Sequence, residues 1–173
     1  MKTNKLYVKI LSFVLSFCMI ICLPIIILSC KENNTYSGEL LRLHIRANSN
    51  SEPDQAVKLK VRDSINQYLA ENITATSFAA AYAEIGLRLK KISDIADNVL
   101  QANGFYYGAK AELANEYFPT RVYGNVEVKE GFYDALIVKL GEGKGDNWWC
   151  VVYPPLCYGD KFEYKSIFAE LFG

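Results

Sequence analysis

The sequence is short of histidine: His44 is the only one among 173 residues. A metal site built on several imidazoles is therefore excluded within one chain. The sequence also lacks net charge, with 19 basic and 19 acidic residues, but the charges are unevenly placed. Residues 1–30 carry Lys2, Lys5 and Lys9 and no acid, which leaves 16 bases against 19 acids in the rest. A mildly acidic body speaks against nucleic acid as a partner, because phosphate contacts need clustered Lys and Arg. Internal repeats and low-complexity tracts are missing. With 51% hydrophobic and 13% aromatic residues, global disorder is excluded as well. The length suits one modest domain and is too small for two ordinary ones. Two catalytic signatures are also absent. No Gly-x-Ser-x-Gly elbow accompanies His44, Ser49 or Ser51. Gly141–Gly145 lacks the Gly-x-x-x-x-Gly-Lys-Ser/Thr order and precedes a strand, so its glycines read as positive-φ positions of a hairpin turn.

What is present begins with an apolar run. Ile10–Leu28 follows the basic flank and is interrupted only by Ser12, Ser16 and Pro24. A helix of that length rises about 28 Å, close to the ~30 Å hydrocarbon core of a bilayer. We read residues 1–30 as a signal or anchor segment, with the lysines in the cytoplasm and the body outside. The length of the run favours an uncleaved anchor, and Pro24 followed by Ser29-Cys30 leaves cleavage open. Ile27-Leu28-Ser29-Cys30 resembles a lipoprotein signal, with a larger residue than usual at Leu28, so Cys30 is a weak lipidation candidate. Cys18 and Cys22 are packing residues of the run. Cys150 and Cys157 fall in the exported body, where disulfides persist. They flank six residues with a Pro154-Pro155 turn, a spacing that suits a disulfide, with free buried thiols as the alternative.

Residues 31–38 are a polar linker, and residues 39–173 an exported domain. Glu39–Arg46 alternates, with Leu41, Leu43 and Ile45 on one face and Arg42, His44 and Arg46 on the other, as a half-buried strand does. Ser51, Pro53 and Asp54 form a helix start, and the helix is expected to run to about Asn72. Its stripe is Val57, Val61, Ile65 and Tyr68, with Asp54, Lys58 and Arg62 as a wet-side ladder. A second helix runs from Thr76 or Ser77 to Asn103-Gly104, with Phe78, Ile85, Ile92 and Val99 seven residues apart. Packing within the chain and a coiled-coil dimer both fit that spacing. From Phe105 the period becomes two. Tyr133–Leu140 reads as a central strand buried on both faces, Asn147–Tyr153 as another strand, and Glu163–Phe172 as a short amphipathic helix. The fold class expected is α+β: two helices packed on a largely antiparallel sheet, in the order β-α-α-β-β-β-α, preceded by the N-terminal membrane helix or signal segment.

His44 between two arginines reads as a structural or surface histidine more readily than as a catalytic base. Paired carboxylates would be needed for a wall- or envelope-modifying hydrolase, and sequence alone does not show convergence. A generic membrane-anchored scaffold is a third reading. Trp148-Trp149 is the most informative dipeptide, since on a strand the two indoles face opposite ways and one can serve as a protein-binding anchor.

Two sets of residues then stand out together. The first is His44-Ile45-Arg46-Ala47-Asn48-Ser49 followed by Asp54-Gln55-Ala56-Val57-Lys58-Leu59-Lys60-Val61-Arg62-Asp63. The second is Phe118-Pro119-Thr120-Arg121-Val122-Tyr123-Gly124, Gly131 through Leu136, Gly141 through Gly145, Asn147-Trp148-Trp149-Cys150-Val151 and Pro154-Pro155-Leu156-Cys157. In this order, over about residues 40–158, the chain resembles the stage II sporulation protein R family. It departs from the family at Asn50, where Asp is usual, and at Lys129, where Pro is common. The resemblance implies an intercellular signal made in the forespore and exported to the space between the two septal membranes. Its implied partner is a mother-cell membrane aspartic protease that processes a sigma-factor precursor. The chain would act as an activator, not an enzyme, with no cofactor and no small-molecule substrate. The partner-binding residues expected are His44, Arg46, Asn48, Asn147, Trp148 and Trp149.

Overall fold

The computed structural model describes residues 34–35, 39–124 and 126–155. The expected anchor, the lipidation candidate Cys30, Cys157 and the expected terminal helix lie outside the described residues. No helix among the described residues is long and apolar enough to cross a membrane.

The strands are β1 (Asn34–Thr35), β2 (Leu41–Arg46), β3 (Ala109–Phe118), β4 (Arg121–Tyr123), β5 (Val126–Val128), β6 (Gly131–Leu140) and β7 (Asn147–Tyr153). The helices are α1 (Glu52–Asn72), α2 (Phe78–Gly86) and α3 (Leu89–Ala102), all between β2 and β3. The chain divides into two units. The larger holds the helices and a four-stranded sheet in the order β3-β6-β2-β7. The smaller holds a three-stranded sheet in the order β1-β5-β4, in which β1 and β5 are parallel. The α+β class is as expected, but the main sheet is mixed. β3 and β7 run antiparallel to their neighbours, whereas β2 and β6 are parallel.

Helix α1 begins where the sequence places it. Ser51 is extended, its Oγ accepts from the Asp54 N–H, and Pro53 sits in the first turn, where a missing N–H costs nothing. Val57, Val61, Ile65 and Leu69, four apart, are buried. Leu69 thus completes the stripe in place of Tyr68, which is only half-buried. The single second helix expected is two helices. Ser77 caps α2, and the chain leaves it at Gly86, the residue with the least helix propensity after proline. Leu87 is then 86% exposed while Ile85 and Ile92 on either side remain fully buried. The break therefore lets both helices face the sheet, although the seven-residue spacing reads as one continuous helix.

One face of the sheet, with Leu41, Leu43 and Ile45 of β2 and Leu136, Val138 and Leu140 of β6, makes the core with α1, α2 and α3. β6 is an interior strand, and Ala135 to Val138 are buried on both faces as its apolar run predicts. The hairpin expected at Gly141–Gly145 is not formed, because β2 lies between β6 and β7. The positive φ values are nonetheless there, at Gly141 and Gly143. The segment arches over the end of β2.

Candidate functional site

The second face of β2 was expected to be wet, and it is buried. Arg42 is 0% and His44 1% exposed. Alternation told the side chains apart correctly but not their surroundings, because the cover comes from distant aromatic residues. The Arg42 guanidinium lies 4.4 Å from the Phe118 ring centre and 5.1 Å from that of Tyr133, close enough for cation–π attraction. Its Nε donates to the Cys150 carbonyl at 3.4 Å. The register places His44 opposite Trp149 and Arg46 opposite Asn147. The imidazole stacks on the Trp149 indole at 3.9 Å and meets the edge of Phe118 at 5.8 Å.

Glu116 of β3 supplies the counter-charge. His44 Nδ1 lies 3.0 Å from Glu116 Oε2, and Arg46 Nη2 donates to both carboxylate oxygens at 2.6 and 2.7 Å. A carboxylate partner at Nδ1 fixes the proton there and leaves Nε2 as the bare nitrogen. Burial pushes the imidazole below its ordinary 6.5. Glu116 and the Asn147 side chain pull in the opposite direction without offsetting it. No described atom closes a hydrogen bond on His44 Nε2.

A second cluster sits where β2 ends. Asp54 of α1 is 5% exposed. Asn48 Nδ2, Ser49 Oγ and Tyr107 Oη donate to its carboxylate at 3.0, 2.5 and 2.9 Å. Burial alone would raise this carboxyl, but the hydrogen bonds outweigh it and hold it below its ordinary value. The Tyr107 phenol is pushed up in turn, by burial and by the carboxylate it faces. Around this post the glycine segment locks to β2. Gly145 N–H donates to the Ala47 carbonyl at 2.9 Å and Lys144 N–H to Asn48 at 3.2 Å. Asn48 Oδ1 accepts from Glu142 N–H at 3.0 Å. Lys58 Nζ donates to Gln55 Oε1 at 2.6 Å and to the Asp146 carbonyl at 3.0 Å. The expected wet-side ladder is thus corrected: Asp54 and Lys58 are buried under residues 141–146, and Arg62 lies over Trp148, 5.2 Å from its ring centre.

These interlocked segments are the ones that carry the sequence resemblance. A family model described as stage II sporulation protein R matches residues 37–163. The chain belongs to the stage II sporulation protein R family. Over 123 residues it is 37% identical to stage II sporulation protein R of Bacillus subtilis (strain 168). That alignment covers 70% of this chain and 55% of the relative, so the chain spans about half the length of the curated relative it matches. No solved structure matches it significantly. Family membership ties the chain to sporulation.

The structure brings the expected partner-binding residues into one neighbourhood, since β2 and β7 pair with His44, Ile45 and Arg46 opposite Trp149, Trp148 and Asn147. It does not expose them equally. Asn147 is exposed, Arg46, Asn48, Trp148 and Trp149 are half-buried, and His44 is enclosed. The two indoles take opposite faces, Trp148 toward α1 and Trp149 against His44. Ser49 donates to Asp54, and His44 pairs with Glu116, so these groups do not form a serine–histidine pair. Glu116, Arg42, Phe118, Asp54 and Tyr107 were not singled out as site residues from sequence. A hint was the placement of Arg42 on the same face as His44, between apolar neighbours. The partner across the sheet, 72 residues from His44, left no local mark. Among the described residues no group of three His, Cys, Asp or Glu side chains is placed to hold a metal ion.

Proposed function

We propose that this chain is an exported sporulation signal that activates a mother-cell membrane aspartic protease, which then processes a sigma-factor precursor. The family match over residues 37–163 carries the reading. The chain acts as a ligand and not as an enzyme. This is supported by the ionisable groups of the site, which are engaged with one another: Glu116 with His44 and Arg46, and Asp54 with Asn48, Ser49 and Tyr107. The protein is delivered from the forespore to the space between the septal membranes, with residues 1–30 as its export or anchor segment. Cys150, buried in β7, is a half-cystine, and the six-residue spacing in the sequence supports Cys157 as its partner.

The docking surface is the β2/β7 end of the sheet, where Asn147, Arg46 and Asn48 reach solvent. His44 and Trp149 act from beneath by fixing the register of the two strands. An activator works only if it binds the active state of its target more tightly than the inactive one. Asn147 is exposed and its side chain also reaches the His44 imidazole, so Asn147→Arg changes the surface at a small cost in stability. In a reconstitution of protease and precursor, the wild-type chain is expected to drive processing. The Asn147→Arg chain is expected to fail while it still unfolds in one cooperative transition, within a few degrees of the wild-type temperature. Normal processing by that variant would remove this surface from the proposal.

A further inference from the structure

β3 is one edge of the four-stranded sheet, and its outer side is treated in two ways along its length. At its start the Ala109 N–H donates to Asp97 Oδ1 and the Ala111 N–H to Ser93 Oγ, at 2.5 and 2.8 Å. Both acceptors come from α3, and they close the edge. Pairing with β6 runs from Ala109 to Phe118 without a shift in register. Outward N–H groups therefore recur every second residue, at Leu113, Asn115 and Tyr117. No described group accepts from these three. Beside them stands an exposed aromatic pair, Tyr117 at 51% and Phe132 at 73%, with ring centres 5.7 Å apart and nearly perpendicular. Edges of this kind are commonly guarded by lysine, proline or a bulge. Leu113–Tyr117 has none of the three, and its single charge, Glu116, is already matched by Arg46.

We propose that this edge pairs with the same edge of a second copy of the chain, antiparallel, on a two-fold axis at Asn115. Leu113 then lies opposite Tyr117 of the other copy, and Asn115 opposite its own counterpart. About six new backbone hydrogen bonds form, from three mutually outward-facing pairs. On the helix side of the sheet, Tyr117 of one copy covers Leu113 of the other beside Phe132. On the opposite side Glu116 faces Ala114, so no two like charges are opposed across the junction. Two carboxylates stand beside this edge, Asp134 accepting from Asn115 Nδ2 at 3.0 Å and Glu130 facing the Tyr117 phenol. An acidic peptide would meet both, whereas the two-fold register of a second copy opposes only Leu113 to Tyr117, Asn115 to Asn115 and Glu116 to Ala114. Pairing stops where Ser93 and Asp97 occupy the strand. β7 is the far edge of the sheet, so the pair leaves Asn147–Trp149 of both copies uncovered.

The test uses the full chain in detergent micelles. Asn115→Cys places two sulfurs on the axis, with Cα atoms about 5.5 Å apart in a hydrogen-bonded antiparallel pair, which a disulfide spans. Mild oxidation is expected to give a covalent dimer well above the wild-type background, and Lys110→Cys, off the axis, is expected to give none. Adding Tyr117→Lys to Asn115→Cys guards the edge and is expected to cut the dimer yield by about tenfold. Phe132→Lys, which touches no ladder hydrogen bond, is expected to act in the same direction. The proposal is overturned if Asn115→Cys cross-links no more than wild type. It is equally overturned if Lys110→Cys cross-links as well, or if neither lysine substitution lowers the yield.

Discussion

Replacing Gly145 by alanine puts one methyl group into the joint between the glycine segment and the end of β2. The added Cβ would lie 2.2 Å from the Ser49 carbonyl oxygen, 2.5 Å from its carbon and 3.0 Å from Ala47 Cβ. Ordinary carbon contacts need about 3.5 Å, so the backbone must separate by roughly 1 Å. The first two are main-chain atoms and an alanine Cβ has no rotamer, so no rotamer change relieves the clash. Separation at this point stretches the Gly145–Ala47 and Lys144–Asn48 hydrogen bonds, each contributing about 0.5–1.5 kcal/mol. It also pulls the Asp146 carbonyl from Lys58, a charged hydrogen bond that contributes somewhat more. Together these predict a loss of about 3 kcal/mol, on the order of a hundredfold in the folding equilibrium. Gly104→Ala is the control. Its φ is +81°, but nothing lies within 4 Å of its Cβ, so only backbone strain of about 1 kcal/mol is expected. Urea unfolding followed by tryptophan fluorescence measures both, since Trp148 and Trp149 are the only tryptophans and adjoin the joint. A Gly145→Ala chain within about 0.5 kcal/mol of wild type, or less affected than Gly104→Ala, refutes the reasoning.

Other outcomes follow from the buried groups. His44 is held below its ordinary 6.5, so below that pH the unfolded chain binds the proton better than the folded one. Stability is therefore complete above about 6.5 and falls as the pH drops toward the folded value, by at most about 1.4 kcal/mol per pH unit. Asp54 adds a separate decline that begins only below its ordinary 3.8. Unfolding midpoints measured from pH 7 to 5 in wild type and His44→Gln test this, and an equal slope in both chains would contradict it. Tyr107→Phe removes one donor from the Asp54 carboxylate while Asn48 and Ser49 remain, and about 1–2 kcal/mol of stability is expected to go. The Asp54 carboxyl should titrate at higher pH in that variant, as read by NMR, and an unmoved titration would show that the phenol does not hold the charge.

Several elements could be read directly from local pattern. Ser51, Pro53 and Asp54 start α1, the apolar run of β6 is interior, and Trp148 and Trp149 point opposite ways, because each of these features is set within a few residues of itself. What escaped the reading was set at long range. Arg42 and His44 look like a solvated face until Phe118, Tyr133 and Trp149 arrive from other strands to cover them. Asp54 and Lys58 have the spacing of a surface ladder, and only the crossing of residues 141–146 buries them. The same crossing explains why three glycines, which did signal unusual backbone, did not signal that β2 would pass between β6 and β7. Gly86 was the local clue to the break between α2 and α3, overridden in the reading by an apolar repeat that continues on both sides of it.

The central position of β2 has a consequence for the order in which the domain can be made. The strand is the first element of the main sheet to leave the ribosome, yet both of its neighbours follow the three helices and β3, at 131–140 and 147–153. Until residue 153 has been made, one side of the strand that carries His44 has no wall. Contacts of such sequence separation form late and slowly. The main sheet therefore cannot close around β2 until residues 131–153 have emerged. A ribosome that stops short of Asn147 yields no smaller version of the domain, only helices α1, α2 and α3 beside an unfinished sheet.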